Sequence, residues 1–271
     1  MEVNFQIYHY WRSQCAMRGE KMKKVKIFAH RGASAYAPEN TLEAFSLAME
    51  QGADGIELDV QMTRDGELVV IHDETIDRVS GGKGFVKDFT LEELKKFSVS
   101  NGFEKYPEVR IPTLQEVQEL VKPSAMEVNI ELKTGIFWYP EIERKVLDLV
   151  RREGMEERVI YSSFNHYSIQ KIRQLSPEAE TAYLIGDVML DVAAYTKNTG
   201  VKGLHPALFH VKMADFLKEY KESGVALRVW TVNDKEQIRW MIDEGMDAVI
   251  TNYPDRGLEA RAEAEAECAG C

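Results

Sequence analysis

The sequence predicts an α/β protein, a (β/α)8 TIM barrel with a small insertion after the second barrel strand. Three observations point there. Eight short apolar runs alternate with helical patterns along most of the 271 residues. Several of these runs are too apolar to have a wet face, as expected of parallel strands covered by helices. Several also end in a residue that can carry a proton or hold a cation, and barrel enzymes place their chemistry at the C-terminal ends of the strands.

The predicted strands are Val25 to Ala29, Gly55 to Val60, Glu127 to Leu132, Val159 to Tyr161, Thr181 to Leu184, Gly203 to His205, Leu227 to Thr231 and Ala248 to Thr251. Helix starts between them are signalled by Asn40 with Glu43, Thr113 with Glu116 and Asn233 with Glu236. Each pair sets a capping oxygen three residues before a carboxylate that reaches back to it. Leu42, Phe45 and Met49 then give the first helix an apolar stripe for packing on the barrel. The interval between the second and third strands is far longer than a crossover needs. It contains an extra strand, Leu68 to His72, reached through the turn Arg64-Asp65-Gly66. Residues 74–111 follow as an insertion with a short helix opening at Thr90. The expected organisation is an N-terminal extension over 1–24, the barrel over 25–256, and an acidic Ala/Glu-rich tail over 257–271, either a frayed helix or disordered.

Composition narrows the function classes. A formal net charge of −11 disfavours an extended phosphate-binding surface, so nucleic acid is not an expected partner. An anionic substrate must be handled locally, by a few basic groups and a metal working against the long-range field. No stretch approaches the roughly 20 apolar residues of a membrane span. Residues 1–24 lack the continuous apolar core of a signal peptide. Cys15, Cys268 and Cys271 all lie outside the expected core and form no disulfide framework, which fits a reducing compartment; the expected location is cytoplasmic. Cys268-Ala269-Gly270-Cys271 has C-x-x-C spacing, but a single pair in such a tail is too weak a signal for a metal or redox site.

The chemistry follows from strand parity. Side chains alternate along a strand, so Glu57 and Asp59 share one face while Ile56, Leu58 and Val60 share the other. The apolar three suit the helix layer, leaving the carboxylates to face the barrel axis, and Glu131 repeats the arrangement on the next parallel strand. Three converging carboxylates repel one another unless some protonate or a cation neutralises them. A divalent metal is the simplest answer, and oxygen-only ligation favours Mg²⁺ or Ca²⁺ over zinc. The bland alternative pairs these carboxylates with Arg31 and Lys133 in a structural ion network. His30 ends the first strand and His72 the extra one, a placement suited to imidazoles on either side of a substrate, where histidine serves as base or acid near neutral pH.

Taken in order, His30-Arg31-Gly32, Ala37-Pro38-Glu39-Asn40-Thr41, Gly55-Ile56-Glu57-Leu58-Asp59-Val60, His72-Asp73, Asn129-Ile130-Glu131-Leu132-Lys133, Ser162-Ser163-Phe164, Val229-Trp230-Thr231-Val232-Asn233 and Asp247-Ala248-Val249-Ile250-Thr251-Asn252 resemble the glycerophosphodiester phosphodiesterase family over nearly the whole chain. The resemblance implies metal-dependent hydrolysis of glycerophosphodiesters to an alcohol and sn-glycerol 3-phosphate. It implies metal binding at Glu57, Asp59 and Glu131, and proton transfer by His30 and His72, one to take a proton from the nucleophile and the other to protonate the leaving alcohol. It also implies attack by the neighbouring glycerol hydroxyl to give a cyclic phosphate, a Trp230 that lines the pocket, and an insertion that stands over the mouth. Arg31 and Lys133 are candidate phosphate contacts, Arg by its fork and Lys as a point charge. Asn40 is explained by helix capping alone. His205 ends a candidate strand and could face the site, whereas His166 and His210 start or flank helices. Two competing readings keep the fold: a lysophospholipase D-like or other phosphodiester hydrolase, and a catalytically silent ligand-binding barrel. No motif addresses head group or oligomeric state.

Overall fold

The computed structural model describes residues 23–213 and 215–269. The extension expected over residues 1–24 thus lies almost wholly outside the described residues, as do Cys15 and Cys271. The strands are β1 Lys26–His30, β2 Gly55–Met62, β3 Leu68–Val70, β4 Glu127–Leu132, β5 Val159–Ser163, β6 Glu180–Ile185, β7 Gly203–Pro206, β8 Ala226–Val229 and β9 Ala248–Thr251. Among the described residues, eight of them pair in parallel in the order β1-β9-β8-β7-β6-β5-β4-β2, and β2 returns to β1 to close the barrel. The remaining strand, β3, is antiparallel to β2 and forms the predicted hairpin, with Val60 opposite Val70 and Met62 opposite Leu68.

Helices cover the outside: α1 Leu42–Gln51, α2 Leu91–Leu94, α3 Leu114–Val121, α4 Ile142–Glu153, α5 His166–Leu175, α6 Val192–Asn198, α7 Leu208–Val211, α8 Phe216–Ser223, α9 Lys235–Asp243 and α10 Pro254–Ala269. The outward-facing Ile56, Leu58 and Val60 of β2 join Ile130 and Leu132 of β4 in one buried cluster with Phe45, Val117 and Val146 of the helices. The inward parity gives a separate small cluster, Phe28, Ile160, Ala182, Ala248 and Ile250, which fills the barrel with Trp230 packed against it. Beneath it, near the strand starts, Arg228 donates to Glu180 Oε1 at 2.7 Å, and Lys26 pairs with Glu127. Charges are thus paired one to one at that end of the barrel, and the buried carboxylate cluster lies toward the other end.

Residues 74–111 carry their own apolar core, in which Ile76, Val79, Val86, Leu94, Val99, Val109 and Ile111 bury against Val69 and Ile71. Phe89 and Phe97 meet edge to face there, 5.7 Å apart.

The capping expectations split. Thr113 and Glu116 make the predicted box, worth about 1 kcal/mol, with Thr113 Oγ1 accepting from the Glu116 N–H. Asn40 and Asn233 are not caps. Thr41 caps α1 and Asp234 caps α9. A shift of one residue releases each asparagine amide for another partner: Asn40 turns to Asp59, and Asn233 Oδ1 accepts from the Asn252 N–H at 2.9 Å. Of the two forms expected for the tail, a frayed helix or disorder, the described residues show a helix: α10 runs from Pro254 to Ala269 across the boundary at 257. Ala260 and Ala264, four residues apart, bury one face of it, and Arg261 reaches Asp54 and the Val25 carbonyl. Small side chains let that helix lie close to β1. Cys268 is exposed near its end.

Candidate active site

The turn after β1 builds one wall of the site. Its backbone enters the left-handed region at Arg31 (φ 55°) and Gly32 (φ 82°). The Gly32 N–H donates to the Ala29 carbonyl at 3.1 Å, and a Cβ at Gly32 would lie 2.7 Å from the Ala44 backbone in α1. Glycine is required for both reasons. Gly32→Ala is expected to destabilise the protein by about 3 kcal/mol, a clash with backbone added to a disfavoured φ. A urea melt with an unchanged slope and a lower midpoint would show it. Asn40 is left-handed too (φ 57°), and its N–H donates to the Arg31 carbonyl at 2.9 Å. That places its side-chain amide to donate to Asp59 Oδ2 at 2.8 Å.

The adjoining wall comes from β2 and β4. Asp59 is paired in register with Glu131, and Glu57 with His30. The carboxylates of Glu57, Asp59 and Glu131 are all buried, with one oxygen of each within 4.8 Å of the others. Lys133 Nζ lies 3.0 Å from Glu131 Oε1 and 3.8 Å from Asp59 Oδ1, and Arg31 Nε lies 3.5 Å from Asp59 Oδ2. Burial, the Asp59 charge and the Glu131 charge push Glu57 well above the usual carboxylate range. Burial and the Asp59 charge also push Glu131 up to about 7, against the pull of Lys133. Asp59 stays low because Arg31 and Lys133 outweigh its burial. The two cations therefore satisfy one carboxylate and leave the triad short of positive charge. Asp59 Oδ1 is moreover buried with no hydrogen-bond partner among the described residues. Hard carboxylate oxygens converging at this spacing, two of them pushed toward protonation by burial and by each other's charge, fit a divalent cation that would relieve the repulsion.

The two histidines sit in different settings. His30 Nδ1 lies 2.7 Å from Asn252 Oδ1, and its Nε2 is 3.9 Å from Glu57 Oε2. Burial and the neighbouring Arg31 lower its pKa to about 4, so it is neutral near pH 7 with Nδ1–H donating to Asn252 and Nε2 unprotonated. His72 Nδ1 lies 2.6 Å from Asp73 Oδ1, a carboxylate that orients the ring and offsets its charge when both nitrogens carry protons. Its loop is held from β2 by Gln61 Nε2, which donates to the carbonyls of Ile71, His72 and Asp73 at 3.1, 3.1 and 2.6 Å.

Sequence reasoning had assigned no role to Gln61, Asp73, Arg78, Glu39 or Asn252. Gln61 was accessible to the parity argument, since it shares a face with Glu57 and Asp59. Arg78 was not, because a loop arginine carries no periodicity. Its guanidinium donates to Asp73 (2.7 and 3.1 Å) and to Glu39 (2.9 and 2.7 Å), and Glu39 also accepts from Arg31 at 2.9 Å. Trp230 donates through Nε1 to the His205 carbonyl at 2.8 Å and meets Phe164 edge to face at 5.5 Å, between the barrel filling and the mouth. His205 is fully buried beside Arg228, and its pKa falls well below the ordinary value through burial and that charge.

A closed barrel with buried carboxylates, two imidazoles and two cations at one end has the equipment of a hydrolase acting on an anionic ester. The profile of the glycerophosphoryl diester phosphodiesterase family matches residues 30–256, and the chain belongs to that family. It is 47% identical over 233 residues to a glycerophosphodiester phosphodiesterase of Caldanaerobacter subterraneus, covering 86% of this chain and 96% of the relative. It is 45% identical to one of Bacillus altitudinis, covering 88% and 98%. Among solved structures it resembles an Oleispira antarctica phosphodiesterase in complex with the product sn-glycerol-3-phosphate, with a TM-score of 0.81, 28% identity, and 87% and 96% of the two chains covered. The chain is accordingly a phosphoric diester hydrolase, a glycerophosphodiester phosphodiesterase by class. No helix among the described residues is long and apolar enough to cross a membrane.

Proposed function

We propose that this enzyme cleaves glycerophosphodiesters to an alcohol and sn-glycerol 3-phosphate with His30 as base, His72 as acid, and Glu57, Asp59 and Glu131 as the seat of Mg²⁺ or Ca²⁺. The observation that carries this reading is the charge-deficient triad beside an imidazole kept neutral by burial. When bound, the cation supplies Lewis acidity that draws electron density from the phosphoryl oxygens and offsets the carboxylate charges. Arg31 and Lys133 add fixed positive charge for the phosphate, and Trp230 packs against the glycerol or head group. His30 Nε2 takes the proton from the attacking glycerol hydroxyl as that oxygen bonds to phosphorus, giving a cyclic phosphate that water then opens to glycerol 3-phosphate. His72 Nε2 gives a proton to the oxygen of the leaving alcohol as its bond to phosphorus breaks, while Asp73 sits where it offsets the positive ring. The insertion over 74–111 shapes the choice of head group. The cytoplasm is the compartment that cysteine usage favours, and the acidic balance argues against nucleic acid.

One observation favours a second substrate class. Ile136, Trp138, Phe164 and Leu190, on the loops that follow β4, β5 and β6, and Phe209, in the short helix that follows β7, are exposed at the same end of the barrel. An apolar rim suits the acyl chain of a lysophospholipid. The experiment is release of glycerol 3-phosphate, or of lysophosphatidic acid, from a panel of both substrate types by chelator-stripped protein resupplied with Mg²⁺ or Ca²⁺. Metal-restored release of glycerol 3-phosphate from the soluble diesters is expected. Cleavage of lysophospholipids alone would favour the second reading, and no cleavage of either type would overturn both.

A further inference from the structure

Arg78 is remote from the barrel strands in sequence, yet it lies between two carboxylates that each hold a group of the site. Its Nε and Nη2 donate to the Asp73 carboxylate, and its Nη1 and Nη2 donate to Glu39, so both edges of the fork are engaged. Asp73 accepts from His72, and Glu39 is fixed to the barrel by Arg31. The mount of Arg78 is rigid, because Ile76 and Val79 on either side are buried in the core of the insertion. An exposed ion pair contributes little stability on its own, but a doubly bidentate arginine fixes angles that a point charge cannot.

We infer that Arg78 is a positioning residue for the reaction: it ties Asp73 to Glu39, and so sets the orientation in which the His72 imidazole meets the leaving group. The inference rests on the reading of His72 as the acid. The insertion then has a part in chemistry besides lying beside the mouth, since its own folding is what places Arg78. Asp73 is held to about 2, its burial outweighed by the hydrogen bonds from Arg78 and His72, which agrees with a carboxylate kept ionised by this arrangement.

The test uses the full-length enzyme with its metal, and two diesters of glycerol 3-phosphate, one with ethanolamine and one with p-nitrophenol as leaving group. Proton donation matters for an alkoxide and hardly at all for a nitrophenolate. Arg78→Ala is expected to lower kcat for the ethanolamine diester about 10²-fold and for the nitrophenyl diester only about 3-fold, the pattern of a misplaced general acid. Inhibition by glycerol 3-phosphate should change little, because Arg31, the phosphate contact that shares Glu39 with Arg78, keeps its own contacts with Glu39 and Asp59. Arg78→Lys should stay close to the alanine variant, since one ammonium cannot reproduce both bidentate contacts. Equal losses on the two diesters, weakened binding of glycerol 3-phosphate, or recovery by lysine would overturn the inference. His72→Ala is run alongside: full activity in that variant on the ethanolamine diester would overturn the acid assignment itself, whereas a deficient His72→Ala with an undisturbed Arg78→Ala would overturn only the role of Arg78.

Discussion

Glu57→Gln should lower kcat by about 10³-fold while leaving the metal-free protein as stable as before, or more so. Burial, Asp59 and Glu131 push the Glu57 carboxyl well above its usual range, so the neutral isostere relieves a repulsion that the charged side chain meets in the metal-free fold. Its amide oxygen can still accept from the Arg31 N–H, which reaches Glu57 Oε2 at 3.0 Å. What is lost is a hard anionic ligand. Calorimetric titration should show cation binding by the parent and none by the variant at the same concentrations. Thermal melts should show no penalty without metal; a large drop in the metal-free melting temperature would mean that Glu57 is structural. The same triad makes stability depend on pH. With Glu131 raised from its ordinary 4.5 to about 7, the native state keeps a proton between those values that the unfolded state has lost. The Glu131 contribution to metal-free stability therefore falls as pH rises across that window, and it is read as the difference between the parent and Glu131→Gln, because His30, lowered to about 4, contributes with the opposite sign. Saturating cation, which binds the deprotonated site, should flatten the slope and release protons on binding.

His30→Ala should lower kcat by about 10³-fold with KM little changed, because on the proposed assignment the imidazole acts on the attacking proton and not on the bound phosphate. Its effect should be similar for alkyl and nitrophenyl leaving groups, since the nucleophile must lose its proton in either case, and here it contrasts with His72. Asn252 gives a milder companion: Asn252→Ala removes the acceptor that fixes the His30 tautomer, at 2.7 Å from Nδ1, yet leaves the base in place. Steady-state kinetics on both diesters would separate the two histidines. Full activity of His30→Ala would sink its assignment as base.

The barrel was legible because parallel strands covered by helices leave a long-lived imprint of apolar runs, and β4 and β9 coincide with their predicted limits. Strand ends moved by a residue or two where pairing outlasts apolarity, as at Gln61 and Met62, which pair with β3 although one is polar. The acidic triad was legible from parity alone. Asn40 was not: the capping pattern around it is real, but Thr41 takes that role and a left-handed φ turns Asn40 inward. The contacts made by Arg78 were beyond reach for a different reason, since they join 39, 73 and 78 through a loop whose path depends on an apolar core assembled from scattered residues. Ala260 and Ala264 were hidden inside an Ala/Glu repeat whose composition looks solvated, although its spacing places two small side chains on one face.

The apolar filling of the barrel has a consequence for traffic. Phe28, Ile160, Ala182, Ala248 and Ile250 close the interior below Trp230, and paired charges lie beneath them, so the strands enclose a cup with one opening. Substrate arrives and both fragments depart through the same aperture. On the proposed assignment the phosphate-bearing fragment is the one held by Arg31 and Lys133, so it has more contacts to break on leaving than the alcohol does. A single doorway thus makes that fragment a competitor of the next substrate, and ties turnover to how quickly the two side chains let go.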